Sequence, residues 1–212
     1  MILVGQYDSP YVRRCAVALH MLEIPFERDT RSVFGDADAM RAINPVGRIP
    51  SLVLDDGEVV IDSAAILDCI DQMVGPERAL LPPTGAARRA ALFLSVLATG
   101  TIDKMGARVY ERSLRPADKQ HPPWLERVTT QLTSGLAALE ARIGDGWAVG
   151  PRPLQPDITI GCLIYYLRDR ASDVYSDDRY PRLARLADRC LALPAFVVTN
   201  PTVDEAMPGV LR

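Results

Sequence analysis

Hydrophobic positions in the first 75 residues alternate between two periods. Residues 2–5 form a short apolar run of strand character, after which Val12, Cys15, Ala16, Leu19 and Leu22 recur at helical spacing. Glu23-Ile24-Pro25 closes that helix. A second strand is predicted over 26–30 and a short helix over 36–43, followed by the breaker cluster Asn44-Pro45-Val46-Gly47. Residues 51–54 and 58–61 flank Asp55-Asp56-Gly57, the signature of a hairpin. Asp62-Ser63 then opens a helix whose apolar positions Ile66, Cys69, Ile70 and Met73 keep helical spacing. The predicted order is β-α-β-α-β-β-α.

Past residue 76 the pattern changes. The stretch 77–85 ends in Pro82-Pro83-Thr84-Gly85 and reads as a linker, and beyond it every strong signal is helical. One long helix covers 86–115, with Gly100 and Gly106 as points where it can bend. In the next, Leu125, Val128, Leu132, Leu136, Leu139 and Ile143 step by three and four, and two more helices follow over 155–171 and 181–193. The expected architecture is an α/β domain over 1–76, a linker over 77–85 and an all-helical domain over 86–212.

Composition narrows the classes of function. A chain of 212 residues can bury a sizeable core. With 24 basic and 27 acidic residues, a net charge of −3 and no basic run longer than Arg13-Arg14 or Arg88-Arg89, nothing points to nucleic acid. Met1-Ile2-Leu3-Val4 lacks both the basic region and the cleavage site of a signal peptide. The longest apolar stretch, 90–98, is half of the roughly 18 residues that a membrane span needs. Cys15, Cys69, Cys162 and Cys190 are scattered through apolar helical patterns as small buried hydrophobes. His20 and His121 are too isolated to build a metal site. A cytoplasmic protein without metal or membrane partner is expected.

The chemically informative segment is Ser9-Pro10-Tyr11-Val12, at the junction of the first strand and first helix. Glutaredoxin-type folds place Cys-Pro-Tyr-Cys at such a junction, where free N–H groups and the helix dipole stabilise a thiolate. Here Ser9 and Val12 stand at both sulfur positions, so the site exchanges no disulfides by itself and a thiol oxidoreductase is excluded. It retains the means to hold an anion. The sulfur should arrive with a ligand.

Four segments in order, Ser9-Pro10-Tyr11-Val12-Arg13, Arg48-Ile49-Pro50-Ser51, Asp62-Ser63 and Leu154-Gln155-Pro156-Asp157, give the chain its family likeness. It resembles the cytosolic glutathione transferases, above all bacterial serine-type members, over nearly its whole length and less so after Pro201. The resemblance implies an α/β thioredoxin-like domain containing a cis-proline, followed by an all-α domain, with glutathione as co-substrate. It makes the Ser9 hydroxyl a hydrogen-bond donor to the glutathione sulfur. A free thiol has a pKa of about 8.5, and each unit of depression favours the anion by about 1.4 kcal/mol, within reach of a hydroxyl donor at a helix N-terminus. Ser9 is also a natural N-cap before Pro10. Tyr7 is the rival catalytic group, since other branches use a tyrosine from the end of the first strand.

The same resemblance puts Pro50 after a cis bond, so that the N–H and C=O of Ile49 pair with the cysteinyl part of glutathione; a trans proline at a strand start is the competing reading. Arg48 would meet the glycyl carboxylate. Ser63 and the helix N-terminus would hold the γ-glutamyl α-carboxylate and Asp62 its ammonium, although both residues also suit a plain helix cap. The fourth segment keeps the acid of a capping box but has leucine in place of the hydroxyl, a loss of about 1 kcal/mol.

For the acceptor, the resemblance implies a pocket between the domains, with Tyr11, Thr101, Lys104, Met105, Arg108 and Tyr110 as lining and Tyr166 beside them. Met105 and Tyr110 serve equally well as core. Aromatics mixed with Arg and Lys suit an electrophile that is polar or anionic on one side. A homodimer is implied, with Asp103 reaching across to the other subunit's γ-glutamyl group. The expected protein is a detoxifying transferase. Glutathione-dependent peroxidase or dehalogenase chemistry is a variant, and a non-catalytic family member that binds protein partners is the alternative. Such a scaffold has no need of Ser9, Pro50, Asp62 and Ser63 together.

Overall fold

The structure, a computed structural model, describes residues 1–202 and Glu205. The chain forms two compact units, one from Met1–Pro83 joined by residues 192–202 and Glu205, the other from Thr84–Leu191.

The first unit is the expected thioredoxin-like domain. Its sheet has the order β2-β1-β3-β4, built from β1 (Ile2–Val4), β2 (Glu27–Asp29), β3 (Ser51–Val53) and β4 (Val59–Ile61). β1 and β2 run parallel around α1 (Pro10–Met21), whereas β1 with β3 and β3 with β4 are antiparallel. Leu3, Val4 and Leu52 are buried at the centre, while Glu27, Arg28 and Asp29 put charge on the edge strand. α2 (Ala37–Ile43) and α3 (Ser63–Val74) complete the order read from the sequence. The strands are three residues each, shorter than the runs predicted, although Gly5 N–H to Asp29 O at 2.8 Å and Leu54 N–H to Glu58 O at 2.8 Å carry the pairing one residue further.

The chain after Leu191 departs from the expected all-helical domain. α7 (Pro181–Leu191) stops two residues early, and Pro194 starts a separate α8 (Pro194–Val198). Proline favours that first helical position, where no N–H bond is lost. α8 packs on α1: Phe196 is buried, its carbonyl accepts from the Arg13 guanidinium at 3.1 Å, and that guanidinium lies over its ring. The rest of the expected 86–212 domain, residues 203–204 and 206–212, lies outside the described residues.

In the second unit α4 (Gly85–Ser113) packs against α5 (Pro122–Glu140) and α6 (Gln155–Arg170), and α6 against α7. Reading only the unbroken run 90–98 understated α4, which contains an 18-residue window of mean hydropathy 1.2. Its Ala91, Leu94, Ala98, Ile102 and Met105 are buried, as in the core helix of a bundle. At Gly135 of α5 a Cβ would overlap the Thr101 hydroxyl, so glycine sets how closely α4 and α5 approach. Asp157 works as half a capping box: its carboxylate accepts from Ala148 N–H at 2.7 Å and from Leu154 N–H at 2.9 Å, and the leucine returns nothing. Burial raises the Asp157 pKa against the pull of those N–H groups.

Candidate active site

Strand register assembles the site. Val4 pairs with Ser51, and Ser51 with Ile61, so these residues form one row across the sheet. The next residue outward on each strand is Gly5, Pro50 and Asp62 respectively, all at one end of the sheet. Both α1 and α3 begin at that end. Their free N–H groups and dipoles favour an anion there.

Gly5 brings two of the loops together. Its φ is +132°, and a Cβ would lie 2.6 Å from Val12 Cγ2 and 3.0 Å from Ile49 Cβ. No other residue would leave room for Ile49 against α1. The Ile49-Pro50 bond is cis. Buried Asn44 orders the approach to it, donating from Nδ2 to Arg48 O at 2.9 Å and accepting from Val46 N–H at 3.0 Å. Arg48 itself is exposed.

Ser9 occupies the N-cap of α1 with extended backbone, and its carbonyl accepts from Arg13 N–H at 2.9 Å, but its hydroxyl makes no cap bond. Asp62 does the opposite. It caps α3 by accepting from Ala64 N–H at 2.8 Å, at a φ of 71° that non-glycine residues rarely adopt. Ser63 is buried behind it, and its carbonyl accepts from the Cys15 thiol of α1 at 3.7 Å, tying the two helix starts together.

Tyr7 is 2% exposed, and among the described residues its hydroxyl has no hydrogen-bond partner. The Arg28 guanidinium lies 3.4 Å from its ring centroid. Burial raises the phenol's pKa above its ordinary value; Arg28 opposes the shift and Glu205 adds to it. Tyr7 is therefore a neutral donor at physiological pH.

The residues expected around the acceptor lie on α1 of the first unit and on α4 and α6 of the second. Half-buried Tyr11 lies in the first turn of α1. On α4, Thr101 donates to Leu97 O at 2.7 Å and, with Lys104, lines an α4–α5 groove of about 880 Å³. Met105 is fully buried, which gives it the packing role foreseen for it as the alternative. Buried Arg108 pairs with Asp173, as does Arg112, beside a smaller cavity of about 350 Å³. Tyr110 is 47% exposed, and Tyr166 of α6 lies under the Arg170 guanidinium. The sequence reading passed over Gly5, Arg28 and Glu205. Glycine ending a strand before a helix is a detectable sign of close approach; Arg28 and Glu205 carry no local signal.

Comparison with known proteins agrees with this fold. Residues 3–78 match the N-terminal domain of glutathione S-transferase, and residues 122–189 match its C-terminal domain. The chain belongs to the glutathione S-transferase family. It is 30% identical over 203 residues to the uncharacterized GST-like protein YibF of Escherichia coli, covering 95% of this chain and 98% of that one. It is 29% identical to a maleylacetoacetate isomerase of Pseudomonas aeruginosa, covering 99% of this chain and all of the relative. Among solved structures, a glutathione S-transferase from Methylobacterium radiotolerans in complex with glutathione sulfonate superposes with a TM-score of 0.89 at 33% identity, covering 95% of each chain.

Proposed function

We propose that this protein is a glutathione transferase in which Ser9 activates the thiolate of bound glutathione for attack on an electrophilic small molecule. The observation that carries the reading is the Ser9 hydroxyl, which sits at a helix N-terminus without being used as a cap. In this assignment the α3 N-terminus with Ser63 takes the γ-glutamyl α-carboxylate and Asp62 faces its ammonium. The backbone of Ile49 pairs with the cysteinyl unit, and Arg48 reaches the glycyl carboxylate. A hydroxyl hydrogen bond and two helix dipoles favour the sulfur anion, and holding both reactants removes much of the entropic barrier. Tyr7, neutral and buried, is the alternative donor. The reading places the enzyme in the cytoplasm, where free cysteines such as these four stay reduced.

The full-length likeness to a maleylacetoacetate isomerase favours a second use of the same thiolate, in isomerisation. Product analysis separates the two, since a transferase consumes glutathione and an isomerase returns it. Calorimetric titration with glutathione tests the shared premise. Binding supports it, and no binding overturns the enzyme in favour of a protein-binding role.

We also propose a homodimer, which complementary surfaces support. Leu92, Phe93 and Val96 of α4 are exposed along the α4–α5 groove, which Arg89 and Lys104 also line. On the first unit Val59, Ile61 and Met73 are exposed, with Glu58 just before β4 and Asp68 on α3. Apolar surface with basic companions on one unit and acidic companions on the other suits a two-fold pairing of copies.

A further inference from the structure

Backbone N–H groups of the loop from β1 to α1, which carries Ser9, are tied at both its ends and its middle. Gly5 N–H donates to Asp29 O at 2.8 Å, and Ser9 N–H donates to Gln6 O at 3.2 Å. Between them Tyr7 N–H donates to Glu205 Oε1 at 3.4 Å, across 198 positions of sequence. The first two are bonds to neighbouring backbone. The third goes to a side chain from the far end of the protein.

That carboxylate is unusually well supplied. The Glu205 side chain is 6% exposed. It pairs with Arg28 of β2, and its Oε2 accepts from Thr202 N–H at 3.1 Å and from the Thr202 hydroxyl at 3.3 Å. A buried carboxylate with four donors is held in one place, and its charge-assisted bond to Arg28 is of the strong kind. Arg28 in turn lies over the Tyr7 ring, 3.4 Å from the centroid. Glu205 therefore acts on Tyr7 twice, on its amide directly and on its ring through the guanidinium. Tyr7 stands two residues before Ser9.

We propose that Glu205 is a positioning residue for the thiolate site, fixing the β1–α1 loop so that the Ser9 hydroxyl meets the glutathione sulfur at hydrogen-bonding distance. The inference rests on the assignment of Ser9 above. A hydroxyl bond to sulfur weakens steeply as its angle and distance drift. The chain end thus sets the basicity of the bound thiol without touching glutathione.

Four forms of the full chain test this: wild type, Ser9→Ala, Glu205→Ala and Glu205→Gln. Each is followed for the pH dependence of the bound thiol, and for kcat and KM with glutathione and a chromogenic electrophile. Glu205→Ala should still bind glutathione, because Ile49, Asp62 and Ser63 are untouched. Its bound thiol should titrate closer to the free value, with kcat about tenfold or more lower and KM changed less than about threefold, as expected for a misplaced catalytic group. Glu205→Gln, whose one amide oxygen replaces only one of the two carboxylate oxygens and so accepts from Tyr7 N–H or from Thr202 but not from both, should fall between. A Glu205→Ala protein that keeps the wild-type pH profile and kcat, and loses only thermal stability, overturns the proposal.

If Glu205→Ala does not fold, Glu205→Gln and Arg28→Gln are read instead through hydrogen exchange of the Tyr7 amide. Faster exchange accompanied by a raised thiol pKa is expected; unchanged exchange overturns the proposal. A wild type that leaves the thiol pKa unaltered removes the Ser9 assignment and this inference with it. Normal behaviour of wild type and Ser9→Ala, with Glu205→Ala indistinguishable from wild type, removes this inference alone.

Discussion

Ser9 and Asp62 both stand at helix starts, yet only Asp62 spends its side chain on the cap. Asp62 caps through Oδ1, and in the proposed assignment its Oδ2 faces the glutathione ammonium, whereas the Ser9 hydroxyl is assigned wholly to the sulfur. Asp62 holds a φ of 71°, a conformation kept only where the surroundings impose it. Glycine there would relax the backbone, and as an N-cap it is only a few tenths of a kcal/mol worse than aspartate. Asp62→Gly should therefore change unfolding free energy by less than about 1 kcal/mol, while losing the carboxylate assigned to the glutathione ammonium. Calorimetry should show roughly tenfold weaker glutathione binding, in line with one lost charge-assisted contact. The sequence could name Ser9 and Asp62-Ser63 as candidates because they are local signals at strand–helix junctions, and Pro50 because it is one at a strand start. Glu205 was not, because it acts 198 residues away on Tyr7 and lies where helical periodicity has faded.

At the scale of elements, the hydrophobic periods gave the strand and helix order but not where the last helix ended. The helix predicted over 181–193 stops at Leu191, and the five residues of α8 are too few to show a period. The start of α6 shows how packing overrides a cap. Leucine at position 154 loses a hydroxyl cap of about 1 kcal/mol. The same side chain is 6% exposed, and burying a leucine contributes about 1.5–3 kcal/mol. Burial outweighs the missing bond. Leu154→Ser, which completes the capping box, should lower stability by about 1 kcal/mol net in urea unfolding; a gain in stability would show that the cap dominates.

On the scale of the whole molecule, the sequence separated an α/β part from a helical part, but it could not show that the chain returns to the first unit after Leu191. Arg13 and Phe196, which make that contact, are 183 residues apart and carry no shared pattern. Helical spacing names the residues on α4 without telling whether each faces core, groove or solvent. The exposed apolar surface of α4 bears on assembly. Val96 is 66% exposed, so Val96→Glu should leave each chain folded by circular dichroism and shift sedimentation from dimer to monomer. A monomeric wild type would contradict the dimer.

The central claim is that Ser9 lowers the pKa of the glutathione thiol, and thiolate absorbance of the bound ligand followed against pH tests it most directly. Wild type should titrate at least about one unit below the roughly 8.5 of a free thiol, whereas Ser9→Ala should bind glutathione and titrate near the free value. Identical titrations for the two proteins would contradict the assignment, and a rise confined to Tyr7→Phe would move the role to the tyrosine.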